Sequence, residues 1–143
     1  MKYFKIVVVI LFIVSNNLYA QNSDISKLMV GFNCGFAGKP TELVNDMTAL
    51  IKEKKYHQIV SLLSSKNSGE VYLSIITVDR ITSLGLFTLS KEENIILSKA
   101  KLTPYLIYFC SGCIPDQKNM KELLLSQENI GAKKWLDEAI GIK

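Results

Sequence analysis

Glu70-Val71-Tyr72-Leu73-Ser74-Ile75-Ile76-Thr77-Val78-Asp79-Arg80-Ile81-Thr82-Ser83-Leu84 has apolar side chains at positions 71, 72, 73, 75, 76, 78, 81 and 84, with mainly Ser and Thr between them. The run does not alternate and is too long for a strand, so it reads as a helix. As a helix it is apolar around most of its circumference and must be contacted on several sides. It is therefore expected to be the most buried element of a mostly helical domain. Lys66-Asn67-Ser68-Gly69, just before it, is a turn by composition.

Upstream, Thr41 is positioned to cap a helix whose Leu43, Val44, Met47, Leu50 and Ile51 recur at helical spacing up to the charged run Lys52-Glu53-Lys54-Lys55. A short second helix is expected over 57–64 on Ile59, Val60, Leu62 and Leu63. Residues 21–40 hold Gly31, Gly35, Gly38 and Pro40, which predicts an irregular arm with one short extended piece at Leu28 to Phe32. Downstream, Ser90 and Glu93 form a capping box for a helix to about Lys101, with Ile95, Ile96 and Leu97 facing inward. Tyr105-Leu106-Ile107-Tyr108-Phe109-Cys110 is bounded by Pro104 and by Ser111-Gly112, and reads as a strand or buried extended segment. Its backbone groups need a partner, and Leu28 to Phe32 is the segment of matching character. The tail is expected to be helical again, from Asp116 to about Gln127 and from Ala132 to Ile140.

The fold class expected from this order is all-α, a compact bundle of antiparallel helix pairs over residues 41–143, with one or two short extended segments. Leu62-Leu63-Ser64-Ser65-Lys66-Asn67-Ser68-Gly69-Glu70-Val71-Tyr72, followed by Ile75, Val78 and Ile81, resembles the inner turn and second helix of a HEAT-type repeat across residues 41–102. That resemblance implies a binding or scaffolding module rather than an enzyme. The early Cys34-Gly35 and late Cys110-Ser111-Gly112-Cys113 also resemble small exported bacterial proteins to which no activity is attached.

The N-terminus predicts export. Lys2 and Lys5 precede the unbroken apolar run Ile6 to Val14, and Leu18-Tyr19-Ala20 supplies a small-residue cleavage site before Gln21. Nine apolar residues rise about 13 Å as a helix, far short of the ~30 Å of a bilayer core, so a signal peptide over 1–20 is expected rather than an anchor. Without Lys2 and Lys5, 15 basic residues face 13 acidic ones, a net of about +2. The lysines are scattered, and Arg80 is the only arginine, which argues against nucleic acid as partner. After cleavage no stable membrane insertion is expected, and the destination is the periplasm or the exterior.

Chemistry narrows to three thiols. Cys34, Cys110 and Cys113 are disulfide candidates in an oxidising compartment, and three thiols leave one sulfur over. A bridge from Cys34 to Cys110 or Cys113 would close a loop of nearly eighty residues, worth ~4 kcal/mol on chain entropy. The competing reading makes Cys110 and Cys113 a redox pair, since strand, Cys-x-x-Cys and helix is a thioredoxin-like local order. A Cys3His metal shell of Cys34, His57, Cys110 and Cys113 is a third, with outer spacings that match no standard pattern. No nucleophile elbow exists, and His57 alone would have to serve any triad. No catalytic residue and no cofactor are assigned. The expected function is a non-enzymatic interaction module stapled by a disulfide, with another protein as its partner.

Overall fold

The computed structural model describes residues 25–112, 114–126 and 131–142. In chain order these form β1 (Val30–Cys34), α1 (Glu42–Lys52), α2 (Tyr56–Ser61), α3 (Ser68–Ser83), α4 (Lys91–Leu102), β2 (Leu106–Gly112), β3 (Ile114–Asn119), α5 (Met120–Leu125) and α6 (Ala132–Ile140), with 3-10 turns at Ile25–Leu28 and Leu62–Ser64. The signal-peptide reading of residues 1–20 lies outside the described residues, and so does Cys113.

The central apolar run is α3, and ten of its 16 residues are buried, which leaves it wet only toward its two ends. Asn67 starts the helix: its Oδ1 accepts from the amides of Gly69 and Glu70 at 2.9 and 3.4 Å. The carboxylate of Glu70 is held by the Ser65 hydroxyl. Gly69 is needed because the helix end rests on its neighbours. A Cβ there would come within 2.6 Å of Leu43 Cδ2 and 2.8 Å of the Leu28 carbonyl oxygen. Around α3 stand Met47 and Ile51 of α1, Ile59 of α2, Leu97 of α4, Ile107 and Phe109 of β2 and Leu136 of α6, all in one core. Each fully buried Ile or Leu contributes roughly 1.5–3 kcal/mol. Ser74, buried within this core, donates to the Ile59 carbonyl at 2.6 Å and fixes α2 against α3.

The expected all-α, HEAT-like bundle does not form. The chain is an α+β mixture in which a three-stranded mixed sheet, ordered β1-β2-β3, packs against the helices through β1 and β2. The two extended segments do pair, slightly shifted along the chain: β1 runs parallel to β2, with Val30 beside Phe109 and Cys34 beside Gly112. The correction comes from the tail. Ile114 to Asn119, expected to enter a helix at Asp116, instead folds back antiparallel on β2, with Ser111 opposite Ile114 and Leu106 opposite Asn119. Only Met120–Leu125 is helical. Five of the six β3 residues are exposed, so no alternation marks the strand; the ladder offered by β2 creates it.

Both outer edges of the sheet are closed. On β1, the Gly31 amide donates to Thr41 Oγ1 at 3.2 Å and the Thr41 amide to the Gly31 carbonyl at 2.9 Å. Thr41 thus spends its hydroxyl on the strand and makes no side-chain cap to α1. On β3, Pro115 has no amide hydrogen and the Gln117 amide is taken by Asp116 Oδ1 at 2.7 Å. That bond, together with the Lys118 ammonium, holds the Asp116 carboxyl below the usual carboxylate range.

One further expectation changes. Of Ile95, Ile96 and Leu97, only Leu97 is buried; Ile95 is 62% exposed and Ile96 38%. Asp79 and Arg80, near the C-terminal end of α3, are half-buried cross-links. Arg80 Nη2 meets Asp137 of α6 at 2.6 Å, and Lys101 of α4 meets Asp79 at 2.7 Å. Trp135 secures α6 from its other side, donating to Thr48 Oγ1 at 2.8 Å and lying 5.1 Å from the Phe32 ring.

The Tyr72 hydroxyl is fully buried and, among the described residues, unpartnered. Burial pushes its pKa up, so it stays protonated. Tyr72→Phe keeps the ring and removes an unsatisfied group, so equilibrium denaturation should find stability unchanged or raised by up to ~1 kcal/mol. Ile75→Ala, at a fully buried position on the same helix, should lower it by ~2–4 kcal/mol. A loss of stability in Tyr72→Phe would mean that the hydroxyl has a partner after all.

Candidate functional site

Parallel pairing brings the C-terminal ends of β1 and β2 to the same end of the sheet, and the cysteines meet there. Cys34 and Cys110 form a disulfide across 76 residues of chain, with their Cα atoms 5.5 Å apart. Gly31 makes the approach possible. A Cβ at that position would lie 3.0 Å from the Cys110 carbonyl oxygen and 3.1 Å from its Cβ, in a stretch where the register slips between Val30 and Asn33. Cys110 is buried and Cys34 half-buried.

Immediately beyond Cys34 the chain makes a four-residue loop, Gly35-Phe36-Ala37-Gly38. Cys34 and Lys39 exchange both backbone hydrogen bonds, at 2.8 and 3.1 Å, and the Gly38 amide returns to the Gly35 carbonyl. Gly35 and Gly38 adopt φ of 70° and 58°, which side chains with a Cβ resist. The Gly35 amide donates to the Gly112 carbonyl at 2.6 Å and ties the loop to β2. Disulfide, turn and strand thus hold the loop at three points, and they hold up one side chain. Phe36 is completely exposed. Leaving a phenylalanine in water forgoes roughly 1.5–3 kcal/mol of burial. Ile114, 73% exposed, starts β3 directly across the ladder from Ser111, at this same end.

The other sequence candidates are dispersed. His57 projects from the start of α2, its side chain 85% exposed, with its ring against Phe87 at 4.9 Å and Nδ1 3.8 Å from Glu93. It is therefore bound up with the loop before α4 and not with the sulfurs. Cys34 and Cys110, bonded to each other, offer no thiolate to a metal. The same bond occupies one sulfur of the competing Cys110–Cys113 redox pair. Among the described residues no three His, Cys, Asp or Glu side chains gather as a metal site.

Shallow grooves of about 330, 350 and 400 Å³ lie respectively beside Arg80, between α1 and α2, and between the hairpin and α5. His57 lines none of them, and their charged groups include pairs such as Arg80–Asp137 and Lys118–Glu122. Phe36 was not singled out from the sequence, where residues 21–40 read only as an irregular glycine-rich arm. An aromatic residue set between two loop glycines was the available signal. The chain matches no protein-family model, and neither a curated protein nor a solved structure shows significant similarity to it.

The disulfide sets up a direct test. Replacing Cys34 and Cys110 together by Ser should lower unfolding free energy by ~2–4 kcal/mol, while Cys113→Ser should change it little. Thiol labelling of the protein from its native host, denatured without reductant, should find a single reactive cysteine. Three reactive thiols would contradict the pairing.

Proposed function

We propose that the mature chain is an exported, non-enzymatic interaction module that docks another protein through Phe36. The observation that carries this reading is a wholly exposed aromatic side chain on a loop fastened by a disulfide and by backbone hydrogen bonds. Rigid aromatic anchors dominate binding energy because they enter a partner's pocket with little loss of conformational freedom. Ile114 at the same end extends the apolar contact. The disulfide then acts as a mount, holding the loop without taking part in chemistry. Export supports such a bond because oxidising compartments preserve it, and the residue order of positions 1–20 supports export.

The test is a photo-crosslinking amino acid at position 36, placed in the protein expressed in its native host. A discrete adduct with one exported or envelope protein is expected. Phe36→Ala should weaken binding to that protein at least tenfold with no change in thermal midpoint, as for an interface hot spot of about 2 kcal/mol. The same crosslinker at Gln58, an exposed position on α2, should give no such adduct. If position 36 captures nothing more discrete than position 58 does, the reading fails.

A further inference from the structure

Helix α4 turns one face to the core through Leu97 and Ala100, both buried. Its opposite face carries two large apolar side chains in water. Ile95 and Leu102, seven residues apart, are 62% and 84% exposed, and Ser98 stands between them. Positions 91, 95, 98 and 102 follow the 4-3-4 spacing of a helix-pairing seam, in which Ile95 and Leu102 are the knobs, small Ser98 allows close approach and Lys91 stands at the outer end. Beside the seam, on one flank, lie Glu92 near the N-terminal end and Lys99 near the C-terminal end. Among the described residues neither side chain has an ion-pair partner. Lys101, on the other flank, is committed to Asp79 within the chain.

This pattern is self-complementary. An isologous two-fold contact sets residue i against j and j against i, and it lays two copies of one helix antiparallel with like flanks adjacent. A two-fold near Leu97, the middle of α4, brings Glu92 of one copy within about 4.5 Å, along the helix axis, of Lys99 of the other, at 1.5 Å of rise per residue. By symmetry the pair occurs twice. The same crossing interdigitates Ile95 of each copy with Leu102 of its mate. We propose that two copies of this chain associate antiparallel through α4, with Ile95 and Leu102 as the apolar seam and reciprocal Glu92–Lys99 pairs fixing direction and register. A 12-residue helix spans about 18 Å, which places the contact at the small end of specific interfaces. The dimer is accordingly a weak, reversible one.

Sedimentation analysis of the exported, processed protein over a concentration series tests this. Wild type should move from monomer to dimer across that range, less readily at high salt. Ile95→Glu, at an exposed position, should leave a folded monomer with an unchanged thermal midpoint. Glu92→Lys and Lys99→Glu should each weaken association about tenfold, and the double exchange should restore it. Phe36→Ala should dimerise like wild type, so that a failure of the loop reading and a failure of this one are told apart. A protein monomeric at millimolar concentration would overturn the proposal. So would a dimer that survives Ile95→Glu, one that the double charge exchange does not restore, or one that Phe36→Ala abolishes.

Discussion

A helix that is apolar on all sides can be satisfied only by being enclosed, and α3 imposes that demand on every other element. α1 and α2 cover it from the preceding chain, α4 and α6 from the following chain, and β2 lies against it as well. Ser74 and Thr77 are buried with it. Small hydroxyls serve there because larger polar groups would leave more unsatisfied surface, and Ser74 meets its requirement on the Ile59 carbonyl. Only at its two ends does α3 meet water, and at the C-terminal one its charged side chains reach outward to fix α4 and α6.

The sheet solves a different problem. β1 and β2 are parallel, so the chain must cross from one end of the sheet to the other between them, and nearly all of the helical core lies within that crossover. Pairing of strands so distant in sequence carries a large loop-closure cost in the unfolded chain. The Cys34–Cys110 bond removes much of that cost, because it joins the two strands at the end where the crossover closes. The staple therefore serves the topology first, and the aromatic loop beyond Cys34 gains a fixed base from it.

The parts of this arrangement that burial dictates were legible in the sequence. The enclosed helix could be read from its apolar circumference, and the Ser90–Glu93 capping box forms with both of its hydrogen bonds. The need of Tyr105 to Cys110 for a backbone partner pointed to the arm, and with it to Cys34. The parts that depend on exposure were not legible. β3 shows no alternation because neither of its faces is buried, and its absence from the sequence reading turned an α+β fold into an all-α one. Ile95 and Leu102 look like any helical apolar residues until the direction of Leu97 is known. Phe36 follows the same logic, since a sequence records that a side chain is aromatic and not that it is left in water.

The closed outer edges of the sheet bear on how this chain behaves at high concentration. A three-stranded sheet with an open border is a template on which further chains can stack strand by strand into fibrils. At Pro115 no hydrogen is present to be shared, and at Gln117 the donor is already turned back onto Asp116. Charged side chains at Asp116 and Lys118 add a hydration shell that an incoming strand would have to strip. Protonating Asp116 weakens that guard, and because its pKa is depressed the guard is lost at a lower pH than an ordinary aspartate would allow. Runaway polymerisation is thus blocked by the least hydrophobic strand of the molecule, whose contribution lies in what it refuses to bind.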